Sequence, residues 1–305
     1  MRHLSAKSEN CLKSDPEPHT PAQRLEEMNA RVEARAGRNL PLAIGVGLLL
    51  GAIAWVCIVY SQPVFTVFVS LVAAFCGAEI SLALRHRDVW LPRVGMAVAV
   101  GVGPLVGGFF GGLAGLLSTF GGGVLLLVWY AAECRMGSRP LQLPDILWGL
   151  LTVLYLGGCT LGAAVLDRSA GAWALIGFLI VVIAHDIGAY AVGRTFGRHP
   201  MAPTISPKKT WEGQAGALGA AVLAGAIGLA PLWGIPWWAG AISGLSLMFS
   251  ATFGDLLESR VKRWIGVKDM SSWIPGHGGL LDRLDAILLS APMALALHLI
   301  WIAIL

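Results

Sequence analysis

Long apolar runs separated by short polar stretches are the dominant pattern along this chain of 305 residues. Each run is about 20 residues, the length a helix needs to cross a hydrocarbon core at ~1.5 Å of rise per residue. Nine spans follow, at 40–60, 64–84, 92–109, 112–130, 146–166, 171–192, 214–232, 236–254 and 284–304. The expected fold is an all-α polytopic integral membrane protein. Between Arg93 and Glu133, 39 residues pass without a charge, and Gly107, Gly108, Gly111 and Gly112 mark a turn around Phe109 and Phe110. Two full spans and a re-entrant pair both fit that stretch. The polar blocks divide the chain into a tail over 1–39, a first group of spans over 40–170 and a second over 171–305, whose two long loops carry most of the remaining polarity.

Composition agrees with this pattern. Hydrophobic residues make up 56% and charged residues 13%, against about 25% charged in soluble domains; the mean hydropathy is +0.70. The opening residues are polar and the first apolar run begins at Leu40, so the start does not read as a cleavable signal peptide. Cys11, Cys57, Cys76, Cys134 and Cys159 form no CxxC pair and have no histidine-rich companion. They argue against a zinc site or a disulfide framework, and for free thiols in or near helices.

Charge fixes an expected orientation. With the N-terminus in the cytoplasm, 21 of the 22 lysines and arginines fall on the inner side, and only Arg168 lies outside. Reversing the chain would invert that ratio against the positive-inside rule. The C-terminus is then expected on the outer face. Within the tail, Thr20, Pro21 and Gln23 resemble a capping box, and Leu25, Met28 and Val32 share one helical face. A helix lying on anionic lipid and a solvated, partly disordered extension are both open readings. Small-xxx-small steps such as Gly103/Gly107 and Gly111/Gly115 point to close helix packing.

The chemistry lies in two inner loops, roughly 193–213 and 255–283. In the second, Asp255 and Glu258 are three residues apart and Ser259 is four from Asp255, a spacing that places them on one helical face. Asp282 and Asp285 repeat the three-residue step. An acidic group inside the bilayer costs ~3 kcal/mol or more, and two such pairs at helix ends suit a hard divalent cation sharing substrate phosphates. Lys262, Arg263, Lys268, His277 and Arg283 lie among them, around a Pro275-Gly276-His277-Gly278-Gly279 turn whose backbone can approach phosphate. In the first loop, Ser206, Lys208, Lys209 and Thr210 form a compact set of hydroxyl and ammonium donors for a polyphosphate, without the spacing of a Walker A loop. Asp186 and Tyr190 precede it by a few turns. Glu79, inside a span, is read as a structural pairing, and His298 as a packed or interfacial histidine.

These residues carry a resemblance. The run Ser259, Lys262-Arg263, Lys268-Asp269, Ser271, Ile274-Pro275, His277-Gly278-Gly279-Leu280 and Asp282-Arg283-Leu284-Asp285 resembles the signature of phosphatidate cytidylyltransferases over 27 positions without a gap. The segment from Asp186 to Arg198 and the SPKKTWEG stretch from Ser206 are similar to other blocks of that family. The likeness covers roughly 180–290. Ala286 stands where a serine is expected, and His185 where a small or different polar residue is common.

The resemblance implies transfer of a cytidylyl group from CTP to phosphatidic acid, giving CDP-diacylglycerol and pyrophosphate. It implies Mg²⁺ as cofactor, with a monovalent cation such as K⁺ nearby. It further implies a homodimer in a bacterial-type inner membrane with its site facing the cytoplasm, membrane lipids as partners and no nucleic acid. Residues 171–305 are then the catalytic region. Asp255 and Asp282 are the leading metal carboxylates, supported by Glu258 and Asp285. Lys262, Arg263, His277 and Arg283 are expected to act in catalysis. Ser206, Lys208, Lys209, Thr210, Lys268, Asp186, Tyr190 and Ser259 are expected to bind substrate. Cytidylyl transfer to another phospholipid or a polyprenyl-type acceptor, and a membrane transporter, are the competing expectations.

Overall fold

The computed structural model describes residues 40–137, 140–271, 273–274 and 278–305, with side chains from 45 onward. Among them are nine helices: α1 (Leu40–Tyr60), α2 (Gln62–Arg87), α3 (Arg93–Phe110), α4 (Gly112–Gly137), α5 (Leu143–Ala170), α6 (Ala172–Phe196), α7 (Trp211–Trp233), α8 (Trp237–Ile265) and α9 (Asp285–Ile304). Helices α2 to α9 are each long and apolar enough to cross a membrane, and α1 is apolar over 45–60. The protein is therefore an all-α polytopic integral membrane protein. The uncharged stretch after Arg93 forms two helices of 18 and 26 residues rather than a short re-entrant pair, with Gly111 at the turn. The tail with Thr20, Arg139 of the α4–α5 loop and His277 all lie outside the described residues.

Several helices run past the ends set by hydropathy, because nothing in their polar continuations breaks a helix. The largest difference is in α8, which continues eleven residues beyond 254 to Ile265. Asp255, Glu258, Ser259, Lys262 and Arg263 thus sit on a rigid rod and not in a loop. Gly266 ends it with φ +88°, a left-handed conformation that glycine adopts without a Cβ penalty. Between α6 and α7 lies an element the all-helical expectation lacks, an antiparallel hairpin of β1 (Pro200–Ala202) and β2 (Ser206–Thr210).

Two buried clusters hold it together. Phe65 and Val69 of α2, Leu166 of α5, Phe178 of α6, Leu247 of α8 and Leu297 of α9 share one. Ile80 and Leu84 of α2, Met96 of α3, Leu156 of α5 and Ile265 of α8 share the other with Met270 and Leu281 of the α8–α9 loop. With lipid as solvent, close backbone approach does much of the packing. At the α6–α7 crossing a Cβ on Gly188 would lie 2.6 Å from both the Gly216 carbonyl oxygen and Ala220 Cβ. Gly188→Val should cost about 1–3 kcal/mol by forcing these helices apart. The check is the midpoint of thermal unfolding in detergent, which should fall for Gly188→Val but not for Gly219→Val, since a Cβ on Gly219 meets open space.

Candidate active site

The C-terminal turns of α6, strand β2, the first turn of α7 and the polar extension of α8 surround a cavity of about 580 Å³ at one end of the bundle. Asp186 and Tyr190, one turn apart on α6, line it with Lys208, Lys209, Thr210 and Asp255. Tyr190 and Asp186 are well exposed to it. Thr210 caps α7, its Oγ1 accepting from the Gly213 N–H at 3.1 Å, so the cap fixes where β2 hands over to helix. Lys209 Nζ pairs with Asp255 Oδ2 at 2.5 Å, while Ser259 Oγ donates to Asp255 Oδ1 at 3.3 Å. Arg263 Nε reaches the Ile205 carbonyl at 3.4 Å and ties α8 to the hairpin.

Behind this wall lies a network that sequence reasoning missed. His185 is buried, with Nδ1 2.9 Å from Asp186 Oδ1 and Nε2 3.0 Å from Thr252 Oγ1. Gln214 Nε2 donates to the same hydroxyl at 2.9 Å. Asp186 is therefore oriented by α7 and α8 through His185. The departure from the family pattern at that position was the one hint. Arg194 also lines the cavity.

A second polar cluster lies on the adjoining face of α8. Lys262 Nζ sits between Glu258 Oε1 at 3.0 Å and Asp282 Oδ1 at 2.9 Å, with all three side chains largely buried. Asp282 Oδ2 accepts from the Met270 N–H at 2.9 Å and the Gly279 N–H at 2.8 Å, which closes the α8–α9 loop on itself. Burial alone would push the Asp282 carboxyl up. The Lys262 hydrogen bond, the Gly279 N–H, the Lys262 charge and the Met270 N–H outweigh it and hold the group below its ordinary value. Glu258 Oε2 has no partner among the described residues, so Lys262 is its main compensation.

Of the carboxylates expected to hold Mg²⁺, with Asp255 and Asp282 leading and Glu258 and Asp285 in support, Asp255 is the one that lines the cavity. Among the described residues no three histidine, cysteine or carboxylate side chains converge as a ready-made metal cage. Lys262 pairs with both Glu258 and Asp282. Asp285, at the start of α9, accepts from the Ala286 N–H and feels the charges of Asp255, Lys262 and Asp186. Asp255 and Asp186 lining one cavity beside two lysines and a threonine are a donor set that fits Mg²⁺, which takes one or two carboxylates and fills its remaining positions from substrate phosphates and water.

Other expected residues are placed apart from the cavity. Ser206 is half-buried at the start of β2, and Lys268 and Arg283 are exposed on the α8–α9 loop. Glu79 is fully buried and pairs with that loop: Ser271 Oγ donates to its Oε1, and the Leu281 N–H to its Oε2 at 2.8 Å. His298 packs edge-on against Trp233, as a structural histidine would.

The fold is that of an integral membrane protein with a cationic, carboxylate-bearing cavity, and comparison with known proteins gives its class. Residues 42–301 match the family described as the cytidylyltransferase family, and the chain belongs to it. It is a nucleotidyltransferase, so the transporter expectation falls away. A protein named phosphatidate cytidylyltransferase from Mycobacterium bovis is 35% identical over 285 residues, covering 90% of this chain and 93% of its own length. Its namesake from Mycobacterium leprae is 32% identical over 296 residues, covering 89% and 91%. Phosphatidate cytidylyltransferase 4, chloroplastic, from Arabidopsis thaliana is 32% identical over 291 residues, covering 84% and 72%.

Two outcomes follow from the Lys262 cluster. Lys262→Met leaves two buried carboxylates uncompensated and should destabilise the protein by about 3–5 kcal/mol, seen in thermal unfolding; adding Glu258→Gln should recover part of the loss. Because the Asp282 value is lowered, its contribution is present above the unfolded value of about 3.9 and is lost as pH falls through the lower folded value. Protease resistance of the α8–α9 loop should stay constant from about pH 7 to pH 5 and fail only below about pH 4.

Proposed function

We propose that this protein transfers the cytidylyl group of CTP to phosphatidic acid, releasing pyrophosphate and forming CDP-diacylglycerol. The observation that carries the reading is the convergence of Lys208, Lys209 and Thr210 with Asp186 and Asp255 in one cavity at a membrane boundary. The names of the relatives support it.

Both substrates are polyanions, and the lipid phosphate monoester, with a second pKa of about 6, is largely ionised near neutral pH. No side chain need act as a general base. One lipid phosphate oxygen attacks the α-phosphorus of CTP, and the bond from that phosphorus to the oxygen bridging toward the β-phosphorus breaks. The demands are relief of repulsion, in-line placement and stabilisation of the leaving pyrophosphate. Lys208, Lys209 and Thr210 donate to the triphosphate. Lys209 now neutralises Asp255; as it turns to phosphate it uncovers that carboxylate. Asp255 and Asp186, with Asp285 nearby, would hold Mg²⁺, which when bound supplies charge neutralisation across the phosphates. Arg263, Lys268 and Arg283 attract the anionic substrates from the rim.

An apolar groove of about 700 Å³ between α8 and α9, lined by Phe253, Leu256, Leu289 and Met293, shares Thr252 with the wall of the polar network. Acyl chains lying there would bring a phosphate to the cavity without leaving the bilayer. The charge bias of the loops supports an inner-membrane orientation with the cavity facing the cytoplasm, and the family resemblance supports a homodimer.

The test is incorporation of labelled CTP into lipid by purified protein supplied with phosphatidic acid, with and without Mg²⁺. Expected are equal amounts of CDP-diacylglycerol and pyrophosphate, dependent on Mg²⁺, and a loss of at least about 100-fold for Asp255→Asn. Absence of product from phosphatidic acid, in folded protein that transfers to another phosphorylated lipid, would reassign the acceptor.

A further inference from the structure

Among the described residues Glu79 is the most buried carboxylate of the chain's first half, with no exposed surface, and it lies about two turns before the end of the long helix α2. A carboxylate so placed must be satisfied. Its partners are all on the α8–α9 loop, 192 to 202 residues away. Ser271, on the arm leaving α8, donates its hydroxyl to Oε1. Leu281, on the arm returning to α9, donates its N–H to Oε2 at 2.8 Å. One carboxylate thus grips both arms.

The grip reaches the Lys262 cluster. A Cβ on Gly279 would overlap Glu79 Oε1 and come within 3.0 Å of Asp282 Oδ2, so the two carboxylates flank the same glycine. The Gly279 N–H donates to Asp282, whose other oxygen holds Lys262. The arms are further joined by Ile274 N–H to the Gly278 carbonyl at 2.9 Å. Among the described residues, none of the elements lining the cavity (α6, β2, the start of α7 and the extension of α8) supplies a hydrogen bond to Glu79.

We infer that Glu79 is a positioning residue for the transfer reaction: its carboxylate staples both arms of the α8–α9 loop to α2 and thereby fixes where Asp282 holds Lys262. The inference rests on the proposed reaction for its kinetic consequence, but the staple itself stands on geometry. The role is one of shape rather than charge. In Glu79→Gln the amide oxygen can accept from Leu281, and the amide nitrogen can donate to the Ser271 oxygen once that hydroxyl rotates. In Glu79→Ala both arms are released.

The experiment pairs hydrogen exchange of the loop amides with steady-state kinetics on CTP and phosphatidic acid, using the full chain in detergent. For Glu79→Ala the Met270 and Leu281 amides should exchange at least about tenfold faster, and kcat should fall at least about 50-fold, while KM for CTP stays within about threefold. Glu79→Gln should keep exchange near wild type and kcat within about fivefold. Ser271→Ala, which frees one arm only, should give intermediate values and serves if Glu79→Ala does not fold. Unchanged loop exchange in both Glu79→Ala and Ser271→Ala overturns the staple. A Gln variant as impaired as the Ala variant, with its loop still protected, overturns the role of shape in favour of charge. A wild-type protein with no transfer to phosphatidic acid would refute the proposed reaction, while the exchange data would still decide the staple.

Discussion

A charge taken out of water must find its counter-charge, and this requirement organises the polar end of the bundle. Lys262 satisfies Glu258 on its own helix and Asp282 across the loop, so the extension of α8 and the start of α9 are bound through one ammonium group. Mutual attraction at such a site offsets a desolvation penalty of several kcal/mol per ion only when the remaining lone pairs are also used. Asp282 meets that condition by taking two backbone N–H groups of the loop. What looks like a run of substrate-binding residues in the sequence is, in part, the internal brace that gives the loop its form.

The division of labour among the acidic residues follows from that brace. With Glu258 and Asp282 committed to Lys262, the carboxylates left to face the cavity are Asp255 and Asp186, each held by a neighbour. Asp255 has Ser259 and Lys209, and Asp186 has His185. The cavity is pre-organised by groups from α6, α7, α8 and the hairpin, while the loop side is shaped by contacts with the first half of the chain. Two structural supports, largely independent of each other, therefore meet at one polar face.

The spans were legible because apolar run length answers directly to the thickness of a hydrocarbon core. Their ends were less so: α8 runs on to Ile265, since residues 255–265 contain nothing that breaks a helix, and hydropathy sees only the loss of apolar character. Lys208, Lys209, Asp186 and Asp255, which line one cavity, could be singled out from sequence because each belongs to a short block of polar residues. The partners of Glu79 could not, since contacts across 192 residues leave no local periodicity. The same holds for the hydrogen bond from Lys262 to Asp282, twenty residues later, which leaves no local mark in the sequence.

The uninterrupted helix from Trp237 to Ile265 carries a geometric consequence. One rigid rod both crosses the apolar layer and bears Asp255, Ser259 and Lys262 over its last eleven residues, about 16 Å of rise. The height of these groups above the hydrocarbon boundary is consequently built into the protein, like graduations on a depth gauge. On the proposed reaction, the level at which a lipid phosphate would meet these groups is therefore set by the helix and not by the lipid.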